Sequence, residues 1–158
     1  MVFLAMALTP CAGLNLSVYS AGLEFTNQKG KKMKLSELTG QRTLFALFYT
    51  SCKTICPMTT AKLKEIEADR KKQGQAIQIV LITIDQADQP KQLSQFARDH
   101  GIENWHLLVS KKEQAKIITQ LLGLGYQGKR SDPELHQMHS QNFIEVDGDG
   151  KIVGKISL

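Results

Sequence analysis

Two uninterrupted apolar runs constrain this chain more than any other feature. Residues 43–49 read Thr-Leu-Phe-Ala-Leu-Phe-Tyr, and Ile77 to Ile84 is the second run. A strand with one wet face alternates in polarity. These two do not, so each belongs in the middle of a sheet covered on both sides. Between them Met58 to Gln73 reads as a helix, with Met58, Ala61, Leu63 and Ile66 as its inward face and Gly74 as its stop. Strand, helix and strand in that order predict an α/β domain.

The flanks extend the pattern. Leu14, Leu16 and Val18 alternate with polar residues and suggest a short strand. Leu23-Glu24-Phe25 and Met33-Lys34-Leu35 flank the turn signal Asn27-Gln28-Lys29-Gly30, an N-terminal hairpin. Ser36 starts one helical turn that ends at Gly40. Pro90 opens a helix that Gly101 closes, with Leu93 and Phe96 facing inward. Trp105 to Val109 is a strand, and Ser110 with Glu113 predicts a capping box for a helix from Lys111 to Leu122. Residues 123–141 form a long irregular stretch of the kind that carries function. Asn142 to Val146 and Ile152 to Ile156 are strands joined by Asp147-Gly148-Asp149-Gly150. The sheet is therefore mixed and flanked by helices.

Composition excludes several classes. With 158 residues, 42% of them hydrophobic, the chain builds one core without disulfide staples. No apolar run approaches the roughly 18 residues of a membrane span. Lys+Arg total 20 against 15 Asp+Glu, a charge of +5. The lysines at 31, 32 and 34, at 71 and 72, and at 111 and 112 are scattered and read as solvated faces, so no nucleic-acid partner is expected.

Residues 1–13 read as the remnant of an export signal or anchor, and 14–158 as the single domain. Val2 to Leu8 are apolar, but no basic segment precedes them. Cys11 stands where a bacterial lipoprotein cysteine would, although Pro10 replaces the small residue such a site requires. A second cleavage point falls before Ala21.

The chemistry centres on Cys52 and Cys56. They follow the first buried strand and enter the helix that begins near Met58, with Pro57 in its first turn. Cysteines four apart lie on one side of a helical turn, within disulfide range. A helix N-terminus and Lys53 would lower a thiol pKa, giving a nucleophile and a soft metal ligand. The alternative is a pair of small buried apolar residues. His139, before the strand at Asn142, falls on the strand edge where ligands gather, and so could reach the cysteine loop. Two thiolates and an imidazole suit copper and also accept zinc. A surface histidine is the other reading, and His136 is a rival; His100 and His106 are structural. Met58, a soft thioether, fits the core better than a metal. Gly123 to Gly128 spells a dinucleotide-binding glycine pattern but follows a helix. Asp147 to Gly150 opens like a calcium loop, yet Ile152 and Leu158 occupy the required glycine and acidic positions.

The segment Phe48-Tyr49-Thr50-Ser51-Cys52-Lys53-Thr54-Ile55-Cys56-Pro57-Met58 resembles the copper-site motif of the SCO/SenC family. Phe25 to Lys31 with Leu35-Ser36-Glu37-Leu38, Leu81 to Asp85 followed by Pro90, and His139-Ser140 with Val146 to Lys151 match further family segments in order. The resemblance covers about residues 16 to 156. It implies a thioredoxin-like fold and one copper, Cu(I) or Cu(II), per chain, held by Cys52, Cys56 and His139. It implies a metallochaperone role in assembling the copper centre of cytochrome c oxidase, by metal delivery or by reducing the target's cysteines. The implied partner is the copper-bearing oxidase subunit or another copper chaperone. The implied location is the periplasmic side of the bacterial inner membrane, with a monomer held there only through its N-terminus. Three departures stand out. Met138 occupies the position that is Asp in many members, leaving Asp85 to supply acidic charge around the metal or to act as a loop carboxylate. The family's terminal helix is not present by Leu158, and the anchor segment is incomplete. A thiol–disulfide oxidoreductase using Cys52 and Cys56 alone is the competing function, with Cys52 as the attacking thiol. A degenerate domain kept for partner binding is the third.

Overall fold

The computed structural model describes residues 17–52, 55–124 and 142–157. Strand β3 (Arg42–Phe48) is buried at every position after Arg42, and β4 (Ile77–Thr83) is buried from Ile79 onward. They pair in parallel, Arg42 opposite Ile77 and Phe48 opposite Thr83. Helix α1 (Ile55–Lys72) connects them. Helix α2 (Pro90–His100) then leads to β5 (His106–Val109), which runs parallel to β4. Both apolar runs therefore occupy the centre of the sheet.

The remaining strands are antiparallel. The hairpin of β1 (Glu24–Asn27) and β2 (Lys32–Lys34) pairs with β5. Strand β6 (Asn142–Val146) pairs with β3, and β7 (Ile152–Ser157) forms the opposite edge. The order is β2-β1-β5-β4-β3-β6-β7. Helix α3 (Lys112–Leu121) follows β5. Phe25, Phe45, Phe48 and Phe143 are fully buried, joined by Leu63 from α1, Leu93 from α2 and Ile118 from α3. Each such side chain stabilises the fold by about 1.5–3 kcal/mol over its exposed state. Phe48 meets Phe96 of α2 with ring centroids 5.1 Å apart, which fixes α2 against the end of β3.

Four local expectations are corrected. Val18 starts a 3₁₀ turn (Val18–Ala21), not a strand. Its amide donates to the Gly150 carbonyl at 2.8 Å, and Ser17 Oγ donates to the Asp149 carbonyl at 2.6 Å, so the segment is pinned to the β6–β7 turn. Gly150 has φ +87°, and a Cβ there would lie 2.1 Å from Ser17 Oγ; only glycine permits that approach. Secondly, α1 begins at Ile55 rather than Met58. Pro57 is tolerated because first-turn amides have no intrahelical acceptor. Its inward face is Cys56, Thr59, Thr60 and Leu63, while Met58 is 61% exposed and Ala61 is exposed. The core face reads as more polar than it packs because two threonines lie on it. Thirdly, Ser110 does not cap α3. Its hydroxyl is buried and donates to the Thr83 carbonyl at 3.0 Å, and Gln114 instead accepts from the Lys111 amide. Finally, Arg42 rather than Thr43 opens β3, and its guanidinium lies 2.8 Å from Glu145.

Gly123 takes a left-handed φ of +63° just past α3, and residues 125–128 of its glycine pattern lie outside the described residues. Asp147 accepts from the amides of Asp149 and Lys151, closing a tight turn. The hydrogen bonds to these amides, that of Lys151 first, hold its carboxyl below the usual range.

Candidate metal and thiol site

The parallel strands β3 and β4 deliver two loops to the same edge of the sheet. The first, after Phe48, carries Tyr49, Thr50, Ser51 and Cys52 and feeds α1. The second, after Thr83, carries Asp85 and Asp88 and feeds α2. Loops at the carboxyl ends of parallel strands are the common place for a site in such sheets.

Cys52 and Cys56 are both buried. The Tyr49 carbonyl organises them. It accepts from the Cys52 amide at 3.2 Å and from the Cys56 thiol at 3.7 Å. The Cys56 amide in turn donates to Cys52 Sγ at 3.3 Å. A sulfur thus caps the start of α1, where a Ser, Thr or Asp oxygen usually stands.

Burial pushes the Cys56 thiol well above its ordinary range. A backbone hydrogen bond from Tyr49 opposes that shift, whereas hydrogen bonding to Cys52 and the charges of Cys52 and Asp88 add to it. At this position burial works against the expected thiolate-favouring effect of the helix N-terminus and raises the thiol pKa. Lys53, the other group expected to favour thiolate, lies outside the described residues. The Tyr49 phenol is also raised, by burial first and then by its hydrogen bond with Cys52.

Asp88 is a buried carboxylate that the sequence did not single out. It accepts from the Thr50 amide at 3.0 Å and from the hydroxyls of Thr50 and Thr83. Asp85 accepts from the Ala87 amide at 2.9 Å within the loop. Its charge also reaches the Tyr49 phenol. Tyr49 had a signal, since it ends the apolar run directly before the cysteines. Asp88 had none, because its link to the cysteine loop runs through Thr50, 38 residues away.

His139, its rival His136, Met138 and Cys11 lie outside the described residues. Among the described residues no three His, Cys, Asp or Glu side chains gather as a metal site. His100 stacks on Phe96 at 4.0 Å and its Nδ1 contacts the Phe96 carbonyl, a packing role. His106 is half-buried within β5, and burial lowers its pKa. The two cysteines fit a soft ion: both thiols are in mutual contact, and sulfur donors select Cu(I).

The SCO1/SenC family model matches residues 16–158. The chain belongs to the SCO1/SenC family. It is 30% identical over 132 residues to the SCO1 protein homolog of Bacillus subtilis (strain 168), covering 82% of this chain and 68% of that one. Among solved structures it resembles BsSco, a member of the Sco family of cytochrome c oxidase assembly proteins in which a disulfide switch was identified. That match has TM-score 0.73 and 28% identity over 90% of this chain and 83% of BsSco. A SCO1/SenC family lipoprotein from Bacillus anthracis str. Ames matches with TM-score 0.71 and 28% identity, covering 85% and 82% of the two chains. Yeast Sco1 with copper bound matches in fold, with TM-score 0.72 and 20% identity over 85% and 76%. The SCO1/SenC fold of this chain is thioredoxin-like, with the N-terminal hairpin added to the β5 side of the sheet.

Proposed function

We propose that this SCO1/SenC protein binds one copper ion through Cys52, Cys56 and His139 and serves as a metallochaperone in assembling the copper centre of cytochrome c oxidase. The observation that carries the reading is the cysteine pair: two buried thiols four residues apart, in contact, with the Cys52 amide and the Cys56 thiol on a single backbone carbonyl. Sulfur donors held in that arrangement suit Cu(I), and an imidazole completes a three-donor set. Copper is cargo in this reading. Its binding displaces the thiol protons, so affinity rises with pH. The recipient is the copper-bearing oxidase subunit or another copper chaperone. The protein acts as an exported monomer on the outer side of the inner membrane, held only through its N-terminus. The likeness to a family lipoprotein supports export.

The test is copper stoichiometry of the fully reduced protein beside His139→Ala and the Cys52→Ser/Cys56→Ser double variant. About one tightly held copper in the parent, lost in the double variant and strongly weakened in His139→Ala, supports the reading. A folded, reduced parent without tight copper overturns it.

A second reading is favoured by the same sulfur contact. Cys52 and Cys56 act as a thiol–disulfide pair that keeps target cysteines reduced. Cys52 attacks, since the Cys56 thiol is held protonated. Exchange activity that survives His139→Ala separates this reading from the first.

A further inference from the structure

Asp88 stands outside the proposed copper ligands, yet its carboxylate is the anchor of the loop that carries them. It is only 4% exposed. Its Oδ2 takes the Thr50 amide and the Thr83 hydroxyl, and its Oδ1 takes the Thr50 hydroxyl. Thr50 follows Tyr49, whose carbonyl holds the Cys52 amide and the Cys56 thiol. The linkage therefore runs from Asp88 through Thr50 and the Tyr49 carbonyl to both cysteines. Asp88 is itself fixed, since its amide donates to the Asp85 carbonyl and the Thr83 hydroxyl also receives the Asp85 amide.

One bond in this linkage depends on redox state. The Cys56 S–H donates to the Tyr49 carbonyl, and a disulfide has no S–H to donate. Whatever holds that carbonyl in place favours the dithiol. We infer that Asp88 is a positioning residue for the cysteine pair, locking Thr50 and the Tyr49 carbonyl in the geometry of the reduced, metal-ready state. This rests on the cysteine pair being the working site, but not on copper being its ligand.

The experiment is equilibration of the metal-free protein with oxidised and reduced dithiothreitol. The two thiols lose two protons and two electrons to the small-molecule disulfide, which becomes a dithiol as the Cys52–Cys56 bond forms. Parent, Asp88→Asn, Asp88→Ala and Thr50→Val are compared. The melting of each is recorded in the reduced and oxidised forms. Asp88→Asn keeps the size of the side chain but leaves one acceptor oxygen. Thr50→Val removes one hydroxyl and leaves the amide bond to Asp88.

The expected result is a threefold to tenfold shift of the equilibrium toward disulfide in Asp88→Asn, about 15–30 mV. A smaller shift in the same direction is expected in Thr50→Val, with the reduced form losing more melting temperature than the oxidised form. An unchanged equilibrium in folded variants, or equal loss of stability in both forms, overturns the proposal and leaves Asp88 a structural residue. If the Asp88 variants do not fold, Thr50→Val decides alone. Copper binding is measured separately, so a parent that binds no copper overturns the proposed function while the redox shift still tests Asp88.

Discussion

The Cys56 amide lies 3.3 Å from Cys52 Sγ, so the first cysteine of the motif caps the helix that contains the second. The two cysteines are therefore not equivalent. Cys52 receives a helix amide at the loop, whereas Cys56 sits inside the first turn of α1 with its thiol turned to the Tyr49 carbonyl.

That asymmetry predicts an order of reaction. Cys56 is 3% exposed and held as a thiol, and only the thiolate reacts with an alkylating agent. Under limiting iodoacetamide at pH 7.5, about the ordinary working range, Cys52 is carboxamidomethylated before Cys56. Peptide mass spectrometry of a time course reads the order. Equal rates at both sites contradict the described geometry.

The raised Cys56 pKa also sets a pH dependence of stability. The folded state holds this proton more tightly than the unfolded chain does. The resulting stability is fully present below the ordinary thiol value of about 8.5 and declines as pH rises above it. The urea midpoint of the reduced, metal-free protein therefore falls between about pH 8.5 and pH 10, and Cys56→Ala lacks that part of the fall. Above about pH 10 the raised Tyr49 phenol adds a loss of the same sign, which Tyr49→Phe removes. A flat profile in the reduced parent across this interval would contradict the burial of Cys56.

Gln28 substitutes for a strand at the start of β5. Its amide donates to the Trp105 carbonyl at 2.6 Å, and its oxygen accepts from the Leu107 amide at 3.1 Å. Gln28 is itself buried. Gln28→Ala leaves two backbone groups without those partners and costs about 2 kcal/mol. Gln28→Glu keeps the acceptor and loses the donor, with a comparable cost. Chemical denaturation with an unchanged m-value checks both.

Glu145 ties α1 to the far side of the sheet. Its carboxylate is 8% exposed and meets Arg42 at 2.8 Å and Arg70 at 3.0 Å. The arginines are partly in water, so the loss on Glu145→Ala is smaller than for a fully buried pair, about 2 kcal/mol. Arg42→Ala costs less than 1 kcal/mol, roughly, because half of that side chain is solvated. A double-mutant cycle between Glu145 and Arg70 isolates their coupling.

Much of the framework was legible because it depends on local chemistry. The buried runs at 43–49 and 77–84 became β3 and β4 because unalternated apolar strands must be covered on both faces. The hairpin at Asn27 and the helix between Pro90 and Gly101 followed from turn and cap residues. The errors had tertiary causes. The 3₁₀ turn at Val18 exists because the β6–β7 turn supplies it with carbonyls from residues more than 130 positions away. Ser110 gives up a cap because the end of β4 offers it a buried acceptor.

The sequence by itself determined the order of strands and helices, the parallel centre of the sheet, and the placement of Cys52 and Cys56 where a strand passes into a helix. Neighbours in sequence carry that information through periodicity, caps and turn residues. Only the tertiary structure decided the state of the site. It buried Cys56, and that burial raises its thiol pKa. It also set Asp88, 36 residues after Cys52 in the sequence, beneath the loop that carries it. Burial and the convergence of two loops arise when the sheet assembles, and no local pattern encodes them.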